Sequence, residues 1–314
     1  MKLRQTRFIV TFLALPVALY VWLVIMPFAQ AFQISLTDWS GVSPTFDYIG
    51  FDNYVRIMSD DLRTIPGFLH TGVILVVLPP IVIALALFFA FMVNVGGQGR
   101  GGRIAGVRGS AFYKVVYFFP QVLSLAIIAI IWIQMYAPTA TGGIITSGLQ
   151  ALGLPYPPNG ILMDKSYVLT GVIAVMIWGA VGFYLVYFSS AMAGIPHDLY
   201  EAAIIDGAGR FKTFFKITLP LLWESVQTAW VYLGILALDG FVLVYIMTPN
   251  QGGPNHASEV IGGVIYYHAF GAGVATGPGR GAGYASAIGV VLFFVVLVIT
   301  IVGLRITRRE RVEY

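Results

Sequence analysis

Six long apolar runs organise this chain, at about 8–32, 69–95, 115–136, 167–192, 222–248 and 284–304. A helix needs roughly 20 such residues to cross the hydrocarbon core of a bilayer. Backbone placed in lipid must satisfy its own polar groups, so runs of this kind fold as spanning helices. Only 10% of the 314 residues are charged, against about 25% in a soluble domain. The expected fold is therefore all-α, a polytopic membrane helix bundle with six transmembrane helices in a single domain over 1–314.

Charge gives the bundle a direction. Lys2, Arg4 and Arg7 at the start, Arg100, Arg103, Arg108 and Lys114 in the 96–114 loop, Arg210, Lys212 and Lys216 in the 193–221 loop, and Arg305, Arg308, Arg309 and Arg311 in the tail hold 14 of the 18 basic residues. Arg56, Arg63, Lys165 and Arg280 lie on the other side. The positive-inside rule then puts both termini and the 193–221 loop in the cytoplasm of a multi-pass plasma-membrane protein. An even number of spans agrees. Ala29-Gln30-Ala31 mimics a signal-peptide cleavage site, but the apolar run before it is longer than a signal core of about 7–15 residues. The first span is expected to stay uncleaved. Prolines at 16, 27, 79, 80 and 120 should each kink or locally unwind their helices.

The same placement excludes several functions. The net charge of +4 is spread over membrane loops, which leaves no nucleic-acid surface. No Gly is followed by Lys, so the phosphate-cradling G-x-x-x-x-G-K-[ST] loop is absent and the chain cannot by itself be a P-loop ATPase. His70, His197, His256 and His268 lack H-E-x-x-H spacing and an accompanying carboxylate cluster. There is no Cys and no G-x-S-x-G elbow. The glycine-dense 271–283 run contains G-x-G patterns without the strand a dinucleotide site requires, and reads as a flexible turn. A non-catalytic chain without its own cofactor is expected.

The 193–221 loop is the most distinctive connection. Pro196 suits a first helical turn, and Asp198 and Glu201 lie where a helix dipole favours negative charge. Leu199, Ala202 and Ala203 share one side of the helix, and Asp206-Gly207 reads as a left-handed stop. Phe211, Phe214 and Phe215 share a face of a second helix that Pro220 ends. Periodicity alone leaves two readings open: a low-profile docking element, or an amphipathic linker lying flat on the inner leaflet.

The pattern P-x-D-L-Y-E-A-A-x-x-D-G-A from Pro196, followed by I-x-L-P at 217–220, resembles the signature loop of permease subunits of ATP-binding-cassette importers. Phe119-Pro120-Gln121 with Trp132, Gly252-Gly253-Pro254 with Tyr266 and Phe270, Gly283-Tyr284-Ala285-Ser286-Ala287, Thr37-Asp38-Trp39 and Asn53-Tyr54 extend the likeness over most of the chain. It is nearest to the maltose- and glycerol-phosphate-permease first subunits. The stretch 112–120 and the tail Arg308-Arg309-Glu310-Arg311 are similar to actinobacterial permeases for N-acetylglucosamine or chitobiose. The glycine-rich 271–282 insertion departs from the family pattern.

This resemblance implies the MetI-like permease fold, half of a bacterial sugar-import pore, and the 193–221 loop as coupling helix. Its coupling residues would be Tyr200, Glu201, Ala202, Ala203, Asp206 and Gly207, with Gly207 as the turn. It implies a second homologous permease, an ATPase dimer carrying ATP and Mg, an external solute-binding protein, membrane lipid and a sugar substrate. For the substrate path, Asp239 is the one acid placed well inside a span, and such charges usually face a cavity or partner. Tyr232 and Leu243 would share its helical face, with Trp178 and Gln134 as a stacking plate and a hydrogen-bonding group. Asp239 could equally anchor one helix to another. Competing classes are an ion- or proton-coupled carrier, for which intramembrane charges are few, a non-transporting scaffold, and an importer permease for a non-sugar solute.

Overall fold

The computed structural model describes residues 2–59, 63–95, 97–98, 104–271 and 281–306. Its helices are α1 (Lys2–Tyr20), α2 (Met26–Ile34), α3 (Asp52–Ser59), α4 (Thr64–Val95), α5 (Ser110–Val122), α6 (Leu125–Met135), α7 (Ile144–Ala151) and α8 (Val168–Ala193). There follow α9 (His197–Ile205), α10 (Arg210–Thr213), α11 (Leu219–Leu221), α12 (Trp223–Leu238), α13 (Phe241–Met247), α14 (Ile261–Phe270) and α15 (Ala282–Ile306). One small departure from the all-α expectation is an antiparallel pair, β1 (Gly97–Gln98) with β2 (Ile104–Ala105), in a connection expected to be loop. Among the described residues four helical stretches are long and apolar enough to cross a membrane, or six if two bent pairs each count as one. The glycine-rich 272–280 stretch and the basic tail from 307 lie outside the described residues.

Prolines behave in two ways. The helix runs through Pro16 in α1 and through Pro79 and Pro80 in α4 without a break, so of the two expected outcomes, a kink or local unwinding, the unwinding does not occur there. Lipid-buried helices tolerate proline where neighbouring groups accommodate the freed carbonyl. Ahead of Pro27 and Pro220 the chain widens instead into π turns, Val21–Ile25 and Phe214–Thr218. A wider turn relieves the clash between the proline ring and the carbonyl four residues back. Near Pro120 the expected third span is broken outright: Leu123 and Ser124 are extended, and α5 meets α6 at 98°. Ser124 restarts the helix as an N-cap, its hydroxyl accepting from the Ile127 amide at 3.4 Å.

The chain groups into two compact units, 1–65 with 264–304 and 66–263 with 305–314. In the first, Phe28 and Phe32 of α2 pack on Phe293 and Phe294 of α15, with ring centroids 5.8–6.2 Å apart. Buried Asn53 donates to the Ser35 and Thr37 carbonyls at 2.9 and 2.8 Å, and Tyr54 shares a 2.6 Å hydrogen bond with Ser35. The Asn53-Tyr54 and Thr37-Asp38-Trp39 motifs therefore tie the end of α2 to α3. No residue of the apolar window within Ile9–Ile34 is buried inside the chain.

The second unit has the larger core. Ile74, Leu78, Val82, Ala86 and Ala90 form one fully buried row along α4 at a spacing of four. α8 contributes Val168, Val172, Val175, Leu185 and Phe188. Small residues set the closest approach: a Cβ on Gly182 of α8 would lie 1.8 Å from the Tyr117 carbonyl oxygen of α5. At one end of these helices Asn94 donates to Ser189 at 2.8 Å and accepts from Lys114 at 3.0 Å. Polar bonds between spans of this kind position helices where apolar packing alone is permissive.

Candidate functional site

Two places in the second unit merit description: the α9 turn and a cavity beside Asp239. Helix α9 starts at His197, directly after Pro196, with Asp198 in its first turn. It stops at Gly207, whose φ of +69° is left-handed. The Gly207 amide donates to the Ile204 carbonyl at 2.9 Å and the Ala208 amide to the Ala203 carbonyl at 2.8 Å. This double bond pattern is a Schellman stop, which satisfies carbonyls the helix end leaves open. The charged stretch thus folds as a short helix and a sharp turn.

Burial sorts the six loop residues into two sets. Tyr200 and Ala203, three apart, face inward and are 3% and 5% exposed. The Tyr200 hydroxyl bonds the Thr218 hydroxyl at 3.2 Å, fixing α9 to the π turn beyond it. Burial pushes the Tyr200 phenol above its usual pKa, an effect the Thr218 hydrogen bond opposes. Glu201, Ala202, Asp206 and Gly207 are exposed, as are Ile204 and Ile205. A Cβ at Gly207 would meet nothing within 4 Å. Leu199 is exposed rather than inward with Ala203, because the inward stripe runs through Tyr200. Phe211 and Phe215 are also exposed, while Phe214 turns in against Phe91 at 5.1 Å, so the three do not act as one buried face.

The cavity occupies about 460 Å³ between α5, α8 and α12. Ala229, Tyr232 and Leu236 of α12, with Asp239 just past its end, form one stripe along it, joined by Tyr184 and Tyr187 of α8 and by Gln121. Tyr232 and Asp239 therefore do share a face, as their spacing of seven requires. Leu243 does not: α12 ends at Leu238, the chain turns through Asp239-Gly240, and Leu243 on α13 is buried elsewhere. The expected continuous span over 222–248 is broken at that point, and Asp239 sits at a helix end where its amide donates to the Ile235 carbonyl at 3.0 Å. Trp178 lies off this cavity, edge-on to Trp132 at 5.5 Å in a cluster that includes Tyr136. Gln134, exposed on α6 beyond the 98° bend, is likewise absent from its lining.

Sequence reasoning passed over three polar lining residues. Tyr184 and Tyr187 carried a usable signal, two aromatics three apart within one span, and Gln121 follows the proline that precedes the break. It also missed a polar cluster. Buried Glu259 lies 2.7 Å from His256, and His70 meets the Glu259 carbonyl at 2.9 Å, so a carboxylate does accompany a histidine here. Among the described residues no group of three or more potential metal ligands exists.

Residues 5–312 match the family described as binding-protein-dependent transport system inner membrane component. The chain is 41% identical, over 94% of its length and 80% of the relative's, to the diacetylchitobiose uptake system permease protein NgcF of Streptomyces coelicolor. It is 28% identical over 96% of both chains to the multiple sugar-binding transport system permease protein MsmF of Streptococcus mutans. Its fold is similar to a crystal structure of a bacterial ABC transporter involved in the import of the acidic polysaccharide alginate, with a TM-score of 0.75, 21% identity, and coverage of 98% of this chain and 97% of that one.

Proposed function

This chain belongs to the family of binding-protein-dependent transport system inner membrane components, and we propose that it forms one half of the pore of an ATP-driven sugar importer. The 41% identity to a diacetylchitobiose permease supports a sugar, and an N-acetylated disaccharide in particular. As one permease domain over 1–314 it would pair with a second, homologous permease. The lack of a phosphate-cradling loop supports a separate ATPase dimer that would carry ATP and Mg, and an external binding protein would deliver the sugar. Segregation of basic residues supports cytoplasmic termini in a bacterial plasma membrane.

The observation that carries this reading is the division of labour in α9. Tyr200 and Ala203 root the helix in the core, while Glu201, Ala202, Asp206 and the flat Gly207 turn are presented outward. A rooted element with an open outer face transmits force: closure of the ATPases would shift α9, and α9 would move the bundle between inward- and outward-facing arrangements. Nucleotide supplies the differential affinity such a two-state change needs. The cavity lined by Tyr184, Tyr187, Tyr232, Asp239 and Gln121 is the sugar path. Tyrosines offer ring faces for sugar C–H groups, and Asp239 and Gln121 take hydroxyl hydrogen bonds.

Because the chain has no cysteine, a single thiol can report the docking. Ala202→Cys in the assembled complex should cross-link to a cysteine placed in the helix-accepting groove of the ATPase, and nucleotide should alter the yield. Cross-linking to lipid-directed probes, with none to the ATPase, would favour the flat linker and sink the coupling role.

A further inference from the structure

A second, larger cavity, of about 730 Å³, opens between the later half of α4 and the start of α12. Its walls include Phe88 and Met92 from α4 and Phe211, Phe215 and Trp230 from the region after the α9 turn; one charged residue, Arg210, lines it. Phe211 is 83% exposed and Phe215 59% exposed. An apolar ring gains about 1.5–3 kcal/mol when an apolar partner covers it instead of water, so this groove suits an apolar occupant. The segment that supplies Arg210 is positive: Arg210, Lys212 and Lys216 are exposed, and no acidic residue lies between Asp206 and Glu224. Among the described residues Arg210 forms no ion pair.

We propose that this groove binds an anionic phospholipid, one acyl chain lying along the α4–α12 wall and the phosphate meeting Arg210. The placement rests on the inward orientation argued above, which puts Arg210 at the inner leaflet. Three features match a lipid better than a sugar or a protein helix. Two walls are the long apolar helices α4 and α12, the lining is aromatic and apolar, and the lone charge, Arg210, opens the α10–α11 stretch that is bent 72° from α12. Basic groups at such a position attract anionic headgroups. Because Arg210 lies three residues beyond Gly207, an occupied groove would brace the segment that follows the coupling turn.

Native mass spectrometry of the assembled complex in neutral detergent tests this with phosphatidylglycerol and phosphatidylcholine as probes. The wild-type complex should retain phosphatidylglycerol preferentially, and Arg210→Gln should weaken that binding about five-fold, one charge's share at a lipid surface. Arg210→Lys should restore most of it. Ala84→Phe, which fills the groove without altering charge, should reduce retention of both lipids. Equal retention of the two lipids by wild type, or unchanged preference in Arg210→Gln, would overturn the site. So would a cross-link from Ala84→Cys to the second permease, since a protein helix would then fill the groove. Labelling of Arg210→Cys by a membrane-impermeant thiol reagent from outside the cell would instead refute the orientation, separately from the groove.

Discussion

Replacing Gly207 should separate folding from the proposed coupling, because the two effects would have different causes. At φ +69° a side chain meets left-handed strain but no neighbour, since a Cβ finds nothing within 4 Å. The folding cost of Gly207→Ala is therefore the backbone term alone, about 1–2 kcal/mol. Gly207→Asn should cost less, as asparagine tolerates this conformation. A partner seated on the turn changes the balance. Gly207→Trp adds the same backbone strain plus a bulky ring at the docking face, and overpacking a close contact costs about 1–3 kcal/mol. A coupling energy of that size corresponds to about a 5- to 150-fold change. Two readouts are needed: the thermal midpoint of the detergent-purified permease pair without the ATPase, and nucleotide-driven uptake by vesicles reconstituted with the full complex. The midpoint should barely separate Ala from Trp, while uptake should fall steeply from Asn through Ala to Trp. Wild-type uptake by the Trp variant in an intact complex would refute the docking role. Uptake that merely tracked the midpoint across the series would refute it equally.

Gly182→Val should abolish recovery of folded chain, at more than about 4 kcal/mol, because its Cβ would sit 1.8 Å from the Tyr117 carbonyl oxygen; normal yield after size-exclusion chromatography would contradict the α5–α8 packing. Tyr200→Phe removes one hydroxyl pair and should destabilise by about 0.5–1.5 kcal/mol, whereas Tyr200→Ala, which empties a buried site, should cost about 3–5 kcal/mol; equal thermal shifts for the two would deny the anchoring role. Asp239→Asn and Tyr232→Phe should raise the sugar concentration for half-maximal uptake, with a lost hydrogen bond contributing about 0.5–1.5 kcal/mol. Trp178→Ala, off the cavity, should leave that concentration unchanged; the opposite pattern would move the path to the Trp132 cluster.

Much of the architecture was legible because membrane helices announce themselves by length and apolarity. Four expected spans find a long helix and the third a bent pair, whereas the bent pair nearest the fifth runs Arg210–Leu221 with Trp223–Leu238, not 222–248. The Gly207 turn was readable as well: Asp-Gly after an amphipathic stretch has few alternatives, and the Schellman bonds are its usual outcome. Breaks within spans were harder. Pro79-Pro80 and Pro120 look alike in sequence, yet α4 continues through the first pair and α5 ends just past Pro120. What decides is the surrounding packing, which local composition does not carry. The same limit explains Leu243, placed on the Asp239 face by counting residues through a helix that in fact ends at Leu238. Trp178 was attractive as a ring in a span, but its neighbour is Trp132 on a helix redirected by the 98° bend. Inward against outward in α9 was ambiguous for a related reason: Tyr200 and Leu199 are both apolar enough to bury, and the Thr218 hydroxyl selects Tyr200.

ATP-driven sugar uptake by proteoliposomes carrying the complete complex tests the central claim most directly. Vesicles holding this chain, its partner permease and the ATPase dimer, supplied with sugar-loaded binding protein outside and ATP inside, should accumulate labelled diacetylchitobiose against its gradient. Omission of ATP or of the binding protein should stop uptake, and collapsing the proton and sodium gradients should leave it intact. Accumulation that survived ATP depletion but ceased on collapse of the ion gradients would contradict the account and make this chain an ion-coupled carrier.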